Sequence, residues 1–137
     1  MARPIPKSNK HQVGGRHYKA EFQHWDWVAY VGLGYFEGQI TRYVMRWQKK
    51  NGVEDVKKAI HYTEKLMELV GEIHVGNCVL RTKGTEDATK WFFKSSKVQD
   101  REQLICRAVL DWRTMEDLHV VHGLITNLLK DAQNANS

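Results

Sequence analysis

The chain has 137 residues, 42% hydrophobic and 27% charged, with a formal net charge of +5. That length supports one buried core and is short for two, and no run of about 18 apolar residues is available to span a bilayer. Cys78 and Cys106 are far apart and have no CxxC spacing, which argues against a disulfide framework or a zinc knuckle and leaves reduced thiols as the expectation.

The positive charge is localised. Arg3, Lys7, Lys10, Arg16 and Lys19 lie in the first nineteen residues with no acid among them, and the rest of the chain is balanced. Residues 1–15 add two prolines, Ser8, Asn9 and Gly14-Gly15, and read as an irregular basic arm ahead of a single helical domain over 16–137. No apolar stretch follows this basic start, so neither a signal peptide nor a membrane anchor is expected.

In chain order, "AEFQHWDWVAYVGL" places Phe22, Trp25, Val28, Ala29 and Gly32 at helical spacing, which predicts a helix over 20–33 that Gly32 and Gly34 break. A second helix, over 35–50, carries Ile40, Val44 and Trp47 as its apolar stripe and closes at Asn51-Gly52. Residues 53–73 form a third. Val56, Ala59, Ile60, Thr63, Met67 and Val70 lie on one side of it, with Lys57, His61, Glu64 and Glu68 on the other. The short turn between the second and third helices predicts a central antiparallel αα-hairpin.

Residues 78–81 read as a short strand or an extended crossover. Thr85 followed by Glu86 and Asp87 reads as the N-cap of a helix reaching Ser95. Asp100 likewise reads as the cap of a helix over 101–112, with Leu104, Ile105, Ala108 and Val109 inward. Thr114 with Asp117 opens a last helix to about Ala132 in a capping-box manner. No internal repeat at a fixed period is evident. The expected fold is all-α, a small bundle of five or six helices.

The chemistry concentrates on the hairpin. On a helical wheel Gln39, Arg42, Tyr43, Arg46, Lys49 and Lys50 fall within one arc of about 120°, and Asp55, Lys58 and Tyr62 share an edge of the next helix. Guanidinium groups one turn apart can grip phosphate oxygens bidentately, lysines add point charge, and tyrosine rings offer stacking surfaces for a base. The competing reading pairs Arg42 and Arg46 with acids on neighbouring helices, because ion-paired faces are common in bundles.

"VGGRHYK" and "EGQITRYVMRWQKKNGVEDVKKAIHYTEKL" resemble the bacteriophage SaV-like family, whose members are often labelled nucleotide kinases. The matching positions are His17, Tyr18, Gly38, Gln39, Arg42, Tyr43, Arg46, Lys49, Lys50, Asp55, Val56, Lys58, Ala59 and Tyr62. Residues 13–70 are covered, and 75–137 form an uncovered C-terminal extension. Gln39 stands for the usual Asn and Arg42 for the usual Lys, which turns a point charge into a fork.

The resemblance implies a phage-encoded nucleotide-binding protein of the host cytoplasm, of the nucleoside monophosphate kinase kind. His17, Tyr18, Gln39, Arg42, Tyr43, Arg46, Lys49, Lys50, Lys58 and Tyr62 would then bind substrate, with Asp55 and Arg46 catalytic and Mg²⁺-ATP as co-substrate.

The Walker pattern is absent, since Gly71 to Gly76 continues with Asn77 and Cys78. Glu64, Glu68 and Glu72 lack a matching acidic pair on a second helix, so they read as a solvated face and not as the magnesium site of a helical pyrophosphatase. Glu116, His119 and His122 spread around their helix and do not suggest a metal site. Of Trp91, Phe92 and Phe93 a helix buries at most two, which hints at self-association into a homo-oligomer.

The alternative function is a non-catalytic phage effector that sequesters a nucleotide signal or inhibits a host protein. Direct nucleic-acid binding ranks below both, because the charge comes without a recognisable reading motif.

Overall fold

The structure, a computed structural model, describes residues 22–135. Among these the architecture is all-α: α1 (His24–Val31), α2 (Tyr35–Arg46), α3 (Val53–Ile73), α4 (Lys83–Ser95), α5 (Asp100–Asp111) and α6 (Met115–Ala135). The arm, with His17 and Tyr18, lies outside the described residues.

Helix α1 is shorter than its apolar spacing predicts. Gln23 caps it, its backbone N–H donating to Asp26 Oδ2 at 2.9 Å, and Gly32 ends it in the left-handed region at φ 84°. Trp27 donates to Thr89 on α4 at 2.9 Å and turns its own side of the helix inward, so Trp27 and Val31 are buried while Trp25, expected inside, is 59% exposed.

Helix α2 buries Ile40 and Val44 but ends at Arg46. Lys49 and Lys50 therefore stand on the turn beyond it and not on its face, as the hydrogen bonds from Lys49 N and Lys50 N back to Arg46 O mark. Gly52, at φ 58°, then leads into α3, which covers the predicted span and buries Val56, Ala59, Thr63 and Leu66.

Residues 78–81 run as an extended crossover, with Leu80 N donating to Val31 O at 2.7 Å; they form no strand. The cap of α4 is Thr82, not Thr85. The two threonines exchange side-chain and backbone bonds as a capping box, and Thr85 is the buried third residue of the helix. Gln99, not Asp100, occupies the cap position of α5.

Leu104 is 59% exposed instead of inward, while Glu102 on the same helix is buried. Thr114 and Asp117 do cap α6 reciprocally. Phe92 and Phe93 are buried, and Trp91 is half-buried against Phe22, their ring centroids 5.0 Å apart.

The two halves of the described chain repeat one another. Helices α2 and α5 have 12 residues each, and α3 and α6 have 21 each. Within each half the second helix packs on the third, and between halves α1 packs on α4, α2 on α5 and α3 on α6. Each helix thus meets its own counterpart, the signature of an approximate two-fold relation.

Side chains confirm the correspondence. Glu37, third in α2, accepts from Trp112 just past α5, and Glu102, third in α5, accepts from Trp47 just past α2, both at 2.9 Å. The buried Ile40, Thr41 and Val44 answer to Ile105, Cys106 and Val109. Likewise Val56, Ala59, Thr63 and Leu66 answer to Leu118, Val121, Ile125 and Leu128. Trp27 stacks on its counterpart Phe92 at 5.1 Å and 18°. A shorter turn before α6 than before α3 breaks the fixed period, which is why no repeat is evident in the sequence.

Candidate functional site: a cationic and aromatic shelf on α2 and α3

Antiparallel packing of α2 on α3 brings Tyr43 and Tyr62 face to face, 5.8 Å between centroids and 11° from parallel. Both rings are half-buried, their inner edges supported by the core. Tyr35 meets Tyr62 edge-on at 6.2 Å, and Phe36 lies 6.4 Å from the same ring. A hydrogen bond with Tyr35, followed by burial, pushes the Tyr62 phenol above its ordinary value.

Three cations surround the Tyr43 ring. The guanidinium carbons of Arg42 and Arg46 lie 5.6 and 5.0 Å from its centroid, and Lys58 Nζ lies 5.4 Å away. Only one carboxylate answers them. Asp55 Oδ2 accepts from Arg46 Nε at 3.2 Å, whereas Arg42 and Lys58 have no carboxylate partner among the described residues. The bond to Asp55 uses the Nε of Arg46, and no ion pair from its terminal nitrogens to another acid is formed among the described residues.

Asp55 has its own structural role. Its side chain is fully buried, Oδ2 also accepts from Asn51 N at 3.2 Å, and Oδ1 faces Asn51 Nδ2 at 3.4 Å. Burial pushes this carboxyl up, but the bonds from Arg46 and Asn51 and the Arg46 charge outweigh it and hold the group below its ordinary value. The carboxylate thereby fastens the turn between α2 and α3 and orients Arg46.

Behind the shelf, His24 Nε2 lies 2.8 Å from Thr41 Oγ1, whose own proton goes to the Glu37 or Gly38 carbonyl. That network makes Nε2 the donor. Burial first, then the charge of Arg42, lowers His24 to about 4, so the ring is neutral at physiological pH.

Of the residues the sequence singles out, the structure groups Arg42, Tyr43, Arg46, Lys58 and Tyr62, with Asp55 beneath. Gln39 is half-buried one turn before Tyr43 on α2, and Lys49 and Lys50 are exposed at the turn. Tyr35 and Phe36 were not singled out. Tyr35 lies two turns before Tyr43 on the same helix, a spacing that places both on one face and could have drawn it in. Among the described residues no group of three or more His, Cys, Asp or Glu side chains is placed to hold a metal ion.

Compared with known proteins, the chain matches no family model, no curated relative and no solved structure.

Proposed function

We propose that this is a nucleotide-binding protein whose α2–α3 shelf holds the phosphates between Arg42, Arg46 and Lys58 and stacks the base near Tyr35, Tyr43 and Tyr62. The carrying observation is the charge imbalance around Tyr43, with three cations and one carboxylate. Like charges this close repel one another, and a phosphate relieves that repulsion while accepting bidentate bonds. Lys49 and Lys50 extend the positive field along the approach, and Gln39 supplies an amide near the ring pair. The resemblance to the phage SaV-like family supports the same ligand class and a phage protein acting in a host cytoplasm; no described helix is long and apolar enough to cross a membrane.

Two versions of this function differ in turnover. A nucleoside monophosphate kinase would use Asp55 and Arg46 at the reacting phosphates with Mg²⁺-ATP. The buried, hydrogen-bonded Asp55 does not fit a protein-held Mg²⁺, since a metal would have to displace the bonds from Arg46 and Asn51. This engagement favours the second version, a phage effector that captures a nucleotide and keeps it from the host.

The test is calorimetry with mono-, di- and triphosphates, each against its nucleoside, followed by chromatography of the recovered nucleotide. Binding that requires phosphate and disappears in Arg42→Ala supports the shelf. Unchanged nucleotide after incubation with Mg²⁺-ATP identifies capture, and diphosphate product identifies the kinase. Absence of any nucleotide binding overturns the reading and turns attention to a host protein as partner.

A further inference from the structure

A cleft of about 330 Å³ opens on the opposite half of the molecule, between the end of α1, the crossover, the start of α4 and the end of α5. Its size falls within the range of small-molecule sites. Val31, Leu80 and Leu110 give it an apolar lining, and two guanidinium groups, Arg81 and Arg107, reach it from different elements.

Both are anchored by something other than an ion pair. Arg81 Nη2 donates to the Leu110 carbonyl at 3.1 Å, and the Arg107 guanidinium lies 5.5 Å from the centroid of the buried Phe93 ring. Each also meets a carboxylate that is more open to water than the arginine itself, clearly so for Asp111 and modestly for Glu86. Arg81 Nη1 is 2.8 Å from Asp111, whose side chain is 64% exposed, and Arg107 forks onto Glu86, 46% exposed, with Nη2 2.9 Å from one carboxylate oxygen and Nη1 3.1 Å from the other.

A single-contact pair this open to solvent, such as Arg81–Asp111, contributes little to stability, and the two-point Arg107–Glu86 pair is the firmer of the two. A carboxylate on a short exposed side chain can therefore swing into water at small cost, while each guanidinium keeps its second anchor. The cleft has the construction of an oxyanion site closed by two displaceable internal acids. The pseudo-two-fold relation points the same way, because Arg107 is the counterpart of Arg42 on the shelf, with Glu86 added where Arg42 has no acid among the described residues.

We infer that this cleft is a second ligand site, one that takes a small doubly charged oxyanion carrying an apolar body, such as an aryl phosphomonoester. The oxyanion replaces Glu86 and Asp111 on the two guanidinium forks, and the body packs on the exposed Leu80, with the buried Val31 and Leu110 forming the floor behind it. The site is separate from the shelf and does not depend on the nucleotide reading.

The experiment follows Arg81 and Arg107 Nε–H resonances of the full chain in titrations with phenyl phosphate, inorganic phosphate and phenol. Phenyl phosphate should shift both resonances together with the Val31 methyls. Inorganic phosphate should act more weakly, and phenol should leave the Nε–H signals in place. Glu86→Gln with Asp111→Asn should tighten phenyl phosphate at least several-fold, since the internal competitors are weakened.

Arg81→Gln with Arg107→Gln should abolish the Val31 shift while Arg42→Ala with Lys58→Ala should not affect it; unfolding midpoints confirm that each variant is folded. Should the double arginine variant lose its fold, Arg81→Gln alone, which leaves the Phe93 contact untouched, serves in its place. Unmoved resonances at millimolar phenyl phosphate overturn the inference. So does a Val31 shift that survives Arg81→Gln undiminished, or an affinity that fails to rise when the two carboxylates are neutralised.

Discussion

The indole N–H of Trp47 donates to Glu102 Oε2 at 2.9 Å, while the other oxygen of that buried carboxyl, Oε1, has no partner among the described residues. Trp112 and Glu37 form the matching bond at the opposite end of the α2–α5 pair. Trp47→Phe would leave Glu102 with neither oxygen bonded, at a cost of roughly 1–3 kcal/mol. Urea unfolding should show that loss as a lowered midpoint at unchanged slope. Adding Glu102→Met to Trp47→Phe should recover part of it, because both polar partners are then gone. An unchanged midpoint in Trp47→Phe would show that this bond does not hold the two halves together.

Ligand binding at the shelf should respond differently to charge and to ring. Removing Arg42 or Lys58 deletes a charged donor worth roughly 1.5–3 kcal/mol, about 10- to 150-fold in Kd. Tyr43→Phe keeps the face that the three cations surround and should stay within a few-fold of the parent, whereas Tyr43→Ala should lose binding. Isothermal titration of the four variants against one nucleotide checks the order. Equal affinities for Tyr43→Ala and the parent would remove the ring from the site.

The elements themselves were largely legible because apolar period carried them, while two of the three predicted caps, at Thr85 and Asp100, fell at Thr82 and Gln99 instead. Helix α3 shows this best: its inward residues recur at 3.6-residue spacing and its bounds match the predicted span. Errors arose where long-range contacts overrode local pattern. Trp25 and Leu104 look apolar and inward, yet they are exposed, because Trp27 faces Thr89 and Glu102 faces Trp47 across helices far apart in sequence.

The same logic hid the duplication. What the halves share is a set of buried positions, and the residue type at those positions changes from Thr63 to Ile125 or from Thr41 to Cys106. At the candidate site, spacing alone grouped Arg42, Tyr43 and Arg46. The engagement of Asp55 and the departure of Lys49 and Lys50 from the helix depend on where α2 ends, which the pattern does not fix.

Two acid transitions should be separable. His24 titrates near 6.5 when unfolded and at about 4 when folded, so between those values the unfolded chain binds more protons. Stability therefore falls as pH drops from about 6.5 to 4, and His24→Gln should flatten that part of the curve. Asp55 behaves in the opposite chemical sense but the same direction. Its folded value is lowered from 3.8, so the stability it contributes is present above 3.8 and lost as pH falls through the folded value. Asp55→Asn should leave the slope between pH 6.5 and 4 unaltered. Urea midpoints across pH 3 to 7 measure both effects, and a steep fall retained in His24→Gln would assign the first transition elsewhere.

The cysteines should differ in reactivity. Cys106 is fully buried, and burial, then the nearby Glu102, push its thiol far above the ordinary value, whereas Cys78 is exposed on the crossover. Iodoacetamide should alkylate Cys78 alone in the native protein and both thiols in urea, as intact mass will show. Native double labelling would mean that the interface of α5 opens readily.

Covalent fusion of two similar halves frees them to diverge. In a true homodimer every substitution occurs twice, so a cluster of uncompensated cations would weaken both subunits at once. Here Arg42 and Lys58 crowd one half, while their counterparts are the acid-matched Arg107 and the neutral Val120. One lobe can keep its crowded cations because its sibling anchors the joint fold.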